Sequence, residues 1–278
     1  MNGFERLFPG RLPRLVMFDL DGTLIDSVPD LAAAIDHMLA TLGRPPAGIE
    51  RVRDWIGNGA PVLVRRALAG GFEHSAVDDA EAEAALQVFM DAYEDNHART
   101  EVYPGVRATL RWLRRQKVEM ALITNKPERF VAPLLDEMKL GRYFRWIIGG
   151  DTLPQKKPDP AALLYVMRMA GVEAKDALFV GDSRNDVLAA NAAGVPCVGL
   201  KYGYNHGRPI AEEHPALVVD DLRELLPGCA TADAALTWPD PSDDIPQRDR
   251  TVVVDCKRWF TAAATRLIKA LGRWRWRA

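Results

Sequence analysis

Two hydrophobic rhythms divide the chain. Short apolar runs of strand length occupy residues 15–18, 118–123, 146–148, 177–180, 198–200 and 216–219. They are too brief for helices, and most give way to Gly, Asp, Thr or Asn, the residues that punctuate turns. Between them, from 104 onward, the pattern predicts helices to about 116, over about 128–138, over 161–170 and over 185–193. Strand alternating with helix predicts an α/β fold, a doubly wound, Rossmann-like parallel sheet with helices on both faces. Ligands bind such sheets beyond the carboxyl ends of the strands. The polar residues at those ends are therefore the first place to look for chemistry.

From 28 to 99 the helical rhythm runs alone. Leu31, Ile35, Met38, Leu39 and Leu42 share one face, and Gly43-Arg44-Pro45-Pro46 stops the run. A second helix is predicted over 49–55, followed by the flexible break Ile56-Gly57-Asn58-Gly59. A third carries Val62, Leu63 and Leu68 up to Gly70-Gly71, and a fourth spans 80–97 with Leu86, Phe89 and Tyr93 on one face. So long a stretch without a strand reads as a helical insertion. The expected organisation is a core of 1–27 and 100–226, a helical unit of 28–99, a linker over 227–250 rich in Pro, Asp and Ala, and a terminal segment of 251–278.

In that segment Val252-Val253-Val254 precedes a basic amphipathic helix from about Asp255, with Trp259, Phe260, Leu267, Leu271 and Trp274 near one face. Such a helix can lie on an anionic membrane surface. A helix packed on the core or on a subunit partner ranks ahead of that reading, in a monomer or a homodimer. A hydrophobic content of 48% supports a real core, and a net charge of -2 argues against nucleic acid as a partner. Cys197, Cys229 and Cys256 are scattered, which suggests neither a disulfide framework nor a zinc site and points to a reducing cytoplasm. Residues 1–14 hold no apolar core of signal length, and no stretch reaches transmembrane length.

The first strand runs into Asp19-Leu20-Asp21-Gly22-Thr23-Leu24. Residues two apart on a strand point the same way, so Asp19 and Asp21 are expected to face one volume. Paired carboxylates repel, and a hard cation such as Mg²⁺ would keep both ionised. One carboxylate can attack phosphorus while the other passes a proton to the leaving group. Gly22 lets the backbone approach a ligand and offers an N–H to an anion. Thr124-Asn125 follows the second strand, where a hydroxyl and backbone N–H groups can hold phosphate oxygens; alone it reads as a capping turn. In Lys156-Lys157-Pro158-Asp159-Pro160 a lysine is presented by rigid backbone as a positive point charge. In Gly181-Asp182-Ser183-Arg184-Asn185-Asp186 two acids four apart can approach one cation, although each alone reads as a cap or a surface acid.

These four stretches, in this order at strand ends, resemble the four motifs of the haloacid dehalogenase-like hydrolases. Asp-Leu-Asp-Gly-Thr-Leu is similar to the first motif, Thr124 to the second, Lys157-Pro158-Asp159-Pro160 to the third (which leaves Lys156 outside it), and Gly181 to Asp186 to the fourth. The resemblance covers 15 to about 226 and implies that the helical insertion is a cap closing over the site. It implies a phosphatase of a small phosphorylated metabolite, with Asp19 as nucleophile and Asp21 as general acid and base. Mg²⁺ would be held by Asp19, the main-chain carbonyl of Asp21 and Asp182, with Asp186 a ligand or a supporting partner. Gly22, Thr124, Asn125 and Lys157 would bind the phosphate, and Asn58 in the cap break would address the rest of the substrate, with Arg65 or Arg66 as weaker candidates. Within the family, residues 180–186 and 198–205 look like those of bacterial members that hydrolyse 2-phosphoglycolate. Asp21 argues against a dehalogenase, and the lack of any lysine before Lys117 argues against a Schiff-base phosphonate hydrolase. A sugar phosphomutase, another phosphate-ester hydrolase and a non-catalytic phosphate sensor or scaffold are the alternatives.

Overall fold

A computed structural model of the chain describes residues 1–94, 98–228 and 252–253. Its elements in order are α1 (Gly3–Leu7), β1 (Leu15–Phe18), β2 (Ile25–Asp26), α2 (Val28–Thr41), α3 (Ile49–Trp55), α4 (Ala60–Ala69) and α5 (Asp79–Glu94). Next come β3 (Glu101–Val102), α6 (Val106–Arg115), β4 (Glu119–Ile123), α7 (Glu128–Glu137), β5 (Trp146–Ile148) and α8 (Ala161–Ala170). The last are β6 (Ala177–Gly181), α9 (Arg184–Ala192), β7 (Cys197–Leu200), β8 (Leu217–Val219) and β9 (Val252–Val253).

The main sheet has the order β8-β7-β6-β1-β4-β5-β9, with every neighbouring pair parallel. Period-two alternation sends β1 to both faces. Val16 and Phe18 join a core with Leu110 and Leu113 of α6 and Leu134 of α7. Leu15 and Met17 join a core with Leu163 and Val166 of α8 and Val187 of α9. Helices thus cover both faces, and the strands between them are apolar apart from Glu119 at the start of β4, because neither face meets water along most of their length. The chain winds from β1 outward through β4 and β5, then returns to the other side of β1 for β6, β7 and β8. That reversal makes the crevice at the carboxyl end of β1 the topological switch point.

Helices α2 to α5 have a core of their own, built around Ile35, Met38, Trp55, Val64, Phe89 and Tyr93 and joined by Phe130 and Tyr204 from outside the insertion. The chain leaves through β2 and returns through β3, which pair antiparallel with Ile25 opposite Val102. Buried Asp30 of α2 accepts the Thr100 hydroxyl at 2.7 Å and the Arg99 N–H at 3.1 Å, which ties the returning strand to the departing helix. The sequence reading has neither β2 nor β3, because two-residue strands carry no period. It also lacks α1, whose five residues are too few to show one. Val252 and Val253 form an edge strand parallel to β5. The helix expected from Asp255 and residues 229–250 of the expected linker lie outside the described residues. No described helix is long and apolar enough to cross a membrane.

Candidate active site

Phe18, the last residue of β1, lies opposite Leu122 of β4 and Val180 of β6. Asp19, Thr124 and Asp182 therefore emerge within two residues of one register line. The Asp19 N–H donates to the Val180 carbonyl at 3.0 Å, which fixes the direction of the strand exit. Lys157 reaches the same point from the proline-rich turn before α8. Its ammonium lies 2.8 Å from Asp19 Oδ1 and 2.6 Å from Asp186 Oδ1, with the side chain only 2% exposed. Burial works against that charge, but Asp186 and then Asp19 outweigh it and raise the lysine pKa. Its neighbour Lys156 is spent on the break after α3, where it donates to the Asn58 carbonyl at 2.9 Å.

Asp19, Asp182 and Asp186 bring carboxylate oxygens within 4.8 Å of one another. Their commitments differ. Asp182 accepts the Thr23 hydroxyl at 2.6 Å on one oxygen and the Tyr204 N–H at 2.7 Å on the other. Asp186 gives Oδ1 to Lys157, while its Oδ2 takes the Asp182 N–H and both the N–H and the hydroxyl of Ser183. Asp19 Oδ1 is buried and, apart from its ion pair with Lys157, has no hydrogen-bond partner among the described residues. Burial, opposed by Lys157 and reinforced by Asp186, lifts the Asp19 carboxyl to about 7. Burial together with Asp186 and Asp19 lifts Asp182 well above the usual carboxylate range. A dry cluster of hard oxygen donors with an uncommitted lone pair fits a hard divalent cation between Asp19 and Asp182. Both oxygens of Asp186 are taken up by Lys157 and the turn at 182–183.

The Asp21 carboxylate stays outside this cluster. It accepts the Ser27 hydroxyl at 2.5 Å and the Lys126 ammonium at 3.1 and 3.4 Å. Lys126 is itself 5% exposed and donates to the Tyr93 hydroxyl of α5 at 2.7 Å. The two acids do open on one cavity, as the alternation predicts, but with different cations beside them. Sequence reasoning missed Lys126, although it directly follows Thr124-Asn125; its partners lie 33 and 105 residues away in the chain. The Thr124 hydroxyl accepts the Lys126 N–H at 3.1 Å, a local turn that aims the lysine inward. Thr23 and Tyr204, which hold Asp182, and Ser27, which holds Asp21, lie in or beside the matched stretches, where the resemblance gives them no individual role.

Gly22 corrects one expectation. Its N–H donates to the Ile25 carbonyl at 2.9 Å and is not available to an anion, because the turn closes onto the first residue of β2. The glycine is needed for another reason: φ is +86°, and a Cβ there would run into the Asp182 carboxylate.

The break after α3 lies over these residues. The Gly57 carbonyl accepts the Asn125 side-chain amide at 3.0 Å and that of Asn185 at 3.1 Å, while Asn125 also donates to the Lys157 carbonyl at 2.9 Å. Gly57 and Gly59 line the cavity and Asn58 does not; its Oδ1 is buried without a partner among the described residues. Arg65 pairs with Asp79 and the Val77 carbonyl, and Arg66 with the Trp55 carbonyl and the Phe72 ring, so both are engaged inside the insertion. The cavity between insertion and sheet is small, about 50 Å³, with Asp19, Asp21, Thr124, Lys126 and Tyr93 in its wall.

This arrangement can be set beside known proteins. The chain is 71% identical, over all of both chains, to the phosphoglycolate phosphatase of Pseudomonas fluorescens strain Pf0-1. It is also 71% identical, again over all of both, to phosphoglycolate phosphatase 1 of Pseudomonas aeruginosa PAO1. The crystal structure of a predicted phosphoglycolate phosphatase from Haemophilus somnus 129PT superposes with a TM-score of 0.72 at 39% identity, covering 76% of this chain and 96% of that one. CbbY from Rhodobacter sphaeroides, in complex with phosphate, shares the fold at a TM-score of 0.63 and 22% identity, covering 77% and 96%. Residues 13–194, which carry all the strand-end carboxylates and both inward lysines, match the family model described as hydrolase, haloacid dehalogenase-like hydrolase. On that match and those full-length identities, the chain belongs to the haloacid dehalogenase-like hydrolases.

Proposed function

We propose that the chain is a Mg²⁺-dependent phosphatase that hydrolyses 2-phosphoglycolate to glycolate and phosphate. The observation that carries this reading is the division of the two strand-end acids: Asp19 stands in the cluster with Lys157, Asp182 and Asp186, and Asp21 stands apart with Lys126 and Ser27. An acid beside Lys157 and a cation site suits nucleophilic attack. An acid outside that cluster, opening on the same cavity, suits proton transfer to the departing oxygen. The full-length relatives named phosphoglycolate phosphatases support the substrate.

In this reading Asp19 attacks phosphorus and becomes an aspartyl phosphate as the P–O bond to glycolate breaks. Asp21 gives its proton to the leaving alkoxide. It then takes one from the water that attacks the aspartyl phosphate, and Asp19 is released with inorganic phosphate. Lys157 and the Thr124 hydroxyl hold phosphoryl oxygens throughout. Bound at Asp19, the Asp21 main-chain carbonyl and Asp182, Mg²⁺ would neutralise phosphoryl charge. Asp186 keeps Lys157 in place. Residues 28–99 serve as the cap that excludes water over a core of 1–27 and 100–226, and the cytoplasm is the proposed location.

A phosphate-release assay tests the reading. With Mg²⁺ the chain should release phosphate from 2-phosphoglycolate, and with a chelator it should not. A hexose phosphate hydrolysed far more efficiently would overturn the substrate assignment.

A further inference from the structure

We infer that Lys126 is the residue that selects the substrate, by binding its carboxylate across the cavity from the phosphate. This deepens the proposed function and rests on it. A site built for 2-phosphoglycolate must recognise a carboxylate as well as a phosphate. Lys157 is committed to Asp19 and Asp186. Arg65 and Arg66 do not line the cavity and bond inside the insertion, to Asp79 and Val77 and to the Trp55 carbonyl. Among the described residues in the cavity wall, Lys126 carries the remaining cation.

Its surroundings are those of a binding group. An ammonium has three N–H donors. Lys126 bonds both oxygens of the Asp21 carboxylate, at 3.1 and 3.4 Å, and the Tyr93 hydroxyl at 2.7 Å; the long contact to Asp21 Oδ2 is the one a ligand carboxylate would replace. The side chain is almost wholly buried, so a ligand carboxylate would meet it without competition from water, where a charge-assisted hydrogen bond is strong.

Asp21 addresses the ester oxygen, at a hydrogen-bond length of roughly 3 Å. Lys126 Nζ lies 3.1 Å from Asp21 Oδ1. A group bound to Lys126 must therefore sit close to the ester oxygen, and in 2-phosphoglycolate one methylene separates that oxygen from the carboxylate. The small cavity agrees with a two-carbon leaving group. Tyr93 comes from the cap and Lys126 from the core, so the pocket that reads the carboxylate is complete only with the cap in place.

The test compares 2-phosphoglycolate with ethyl phosphate, which has a methyl group in place of the carboxylate. Phosphate release is measured on the full chain with Mg²⁺, for the wild type and for Lys126→Gln, which keeps a donor toward Asp21 and Tyr93 and removes the charge. The wild type should favour 2-phosphoglycolate in kcat/KM by about a hundredfold or more, since a buried site built to pair a polar group rejects an analogue lacking it. Lys126→Gln should shrink that ratio to within about tenfold, chiefly through KM for 2-phosphoglycolate. An equal fall for both esters would show that Lys126 only positions Asp21 and would overturn the inference. So would a wild type that is active on both esters without preference, an outcome that leaves a phosphatase standing. A wild type inactive on both overturns the proposed function and this inference together. Should Lys126→Gln fail to fold in a thermal melt, Tyr93→Phe removes the hydroxyl that steadies the ammonium, and an unchanged ratio in that variant overturns the inference.

Discussion

The Lys157 ammonium sits 2.6 Å from Asp186 Oδ1, and that carboxylate is completely buried. The other oxygen of Asp186 takes three donors from the Asp182–Ser183 turn. One acid therefore orients both the lysine and the loop that carries Asp182. Groups that orient ligating and charge-bearing side chains typically matter by about ten- to a hundredfold in activity or metal affinity. Asp186→Asn should lower kcat and weaken Mg²⁺ binding by factors in that range while the protein stays folded. Phosphate release across a Mg²⁺ titration measures both effects, and an unchanged titration curve would rule out the positioning role.

Asp19→Asn should keep the fold and abolish turnover, because an amide cannot serve as the nucleophile in place of the carboxylate. Near-wild-type phosphate release from a folded variant would sink the mechanism. The same variant should melt higher than the wild type at pH 8 without metal, since it removes a buried charge, and about the same at pH 5, where the wild-type carboxyl holds its proton.

Stability of the metal-free protein should fall as pH rises. The unfolded Asp19 carboxyl loses its proton near 3.8, whereas the folded one keeps it up to about 7. Between those values the native state binds more protons than the unfolded chain, so each step up in pH favours unfolding until the folded group has also ionised. Asp182, shifted the same way, adds to the slope. A divalent cation supplies the missing positive charge. The rise in melting temperature on adding Mg²⁺ should therefore be larger at pH 8 than at pH 5. Thermal melts with Mg²⁺ and with a chelator at both values check this, and equal shifts would count against it.

Gly22→Ala should damage stability and metal binding together. The left-handed φ of +86° strains any residue with a side chain, and the new methyl would press on Asp182 and the Tyr204 ring. Backbone strain of this kind costs about 1–3 kcal/mol, or several degrees in a chain of this size. A variant with wild-type melting temperature and Mg²⁺ affinity would show that the turn can relax.

Strand positions and the polar residues at their ends were determined locally. A strand buried on both faces has to be apolar until it reaches the crevice and polar as soon as it does. Leu15 to Phe18 followed by Asp19, and Ala177 to Val180 followed by Gly181-Asp182, record that boundary within a few residues. The helical insertion is legible for the same reason, since Leu31, Ile35, Met38 and Leu39 carry the period of a helix with one buried face. Periodicity does not distinguish Lys157 from Lys156, since both lysines share one turn; only the motif match does.

Other features depended on contacts between distant segments. Only the tertiary structure decided that Asp21 pairs with Lys126 and Ser27 while Asp19 pairs with Lys157. Strand β1 ends at Phe18, and the turn through Gly22 gives the two acids different neighbours. Only packing against the helical insertion brought the Tyr93 hydroxyl to Lys126 and placed Asn125 and Asn185 on the Gly57 carbonyl. The Gly22 N–H was committed by a turn whose closure on Ile25 no residue pattern announced. A residue's type and its near neighbours set which element it joins. Which charge, hydroxyl or carbonyl it meets depends on how the sheet order and the cap bring remote segments together, and that information is not contained in any short window of the chain.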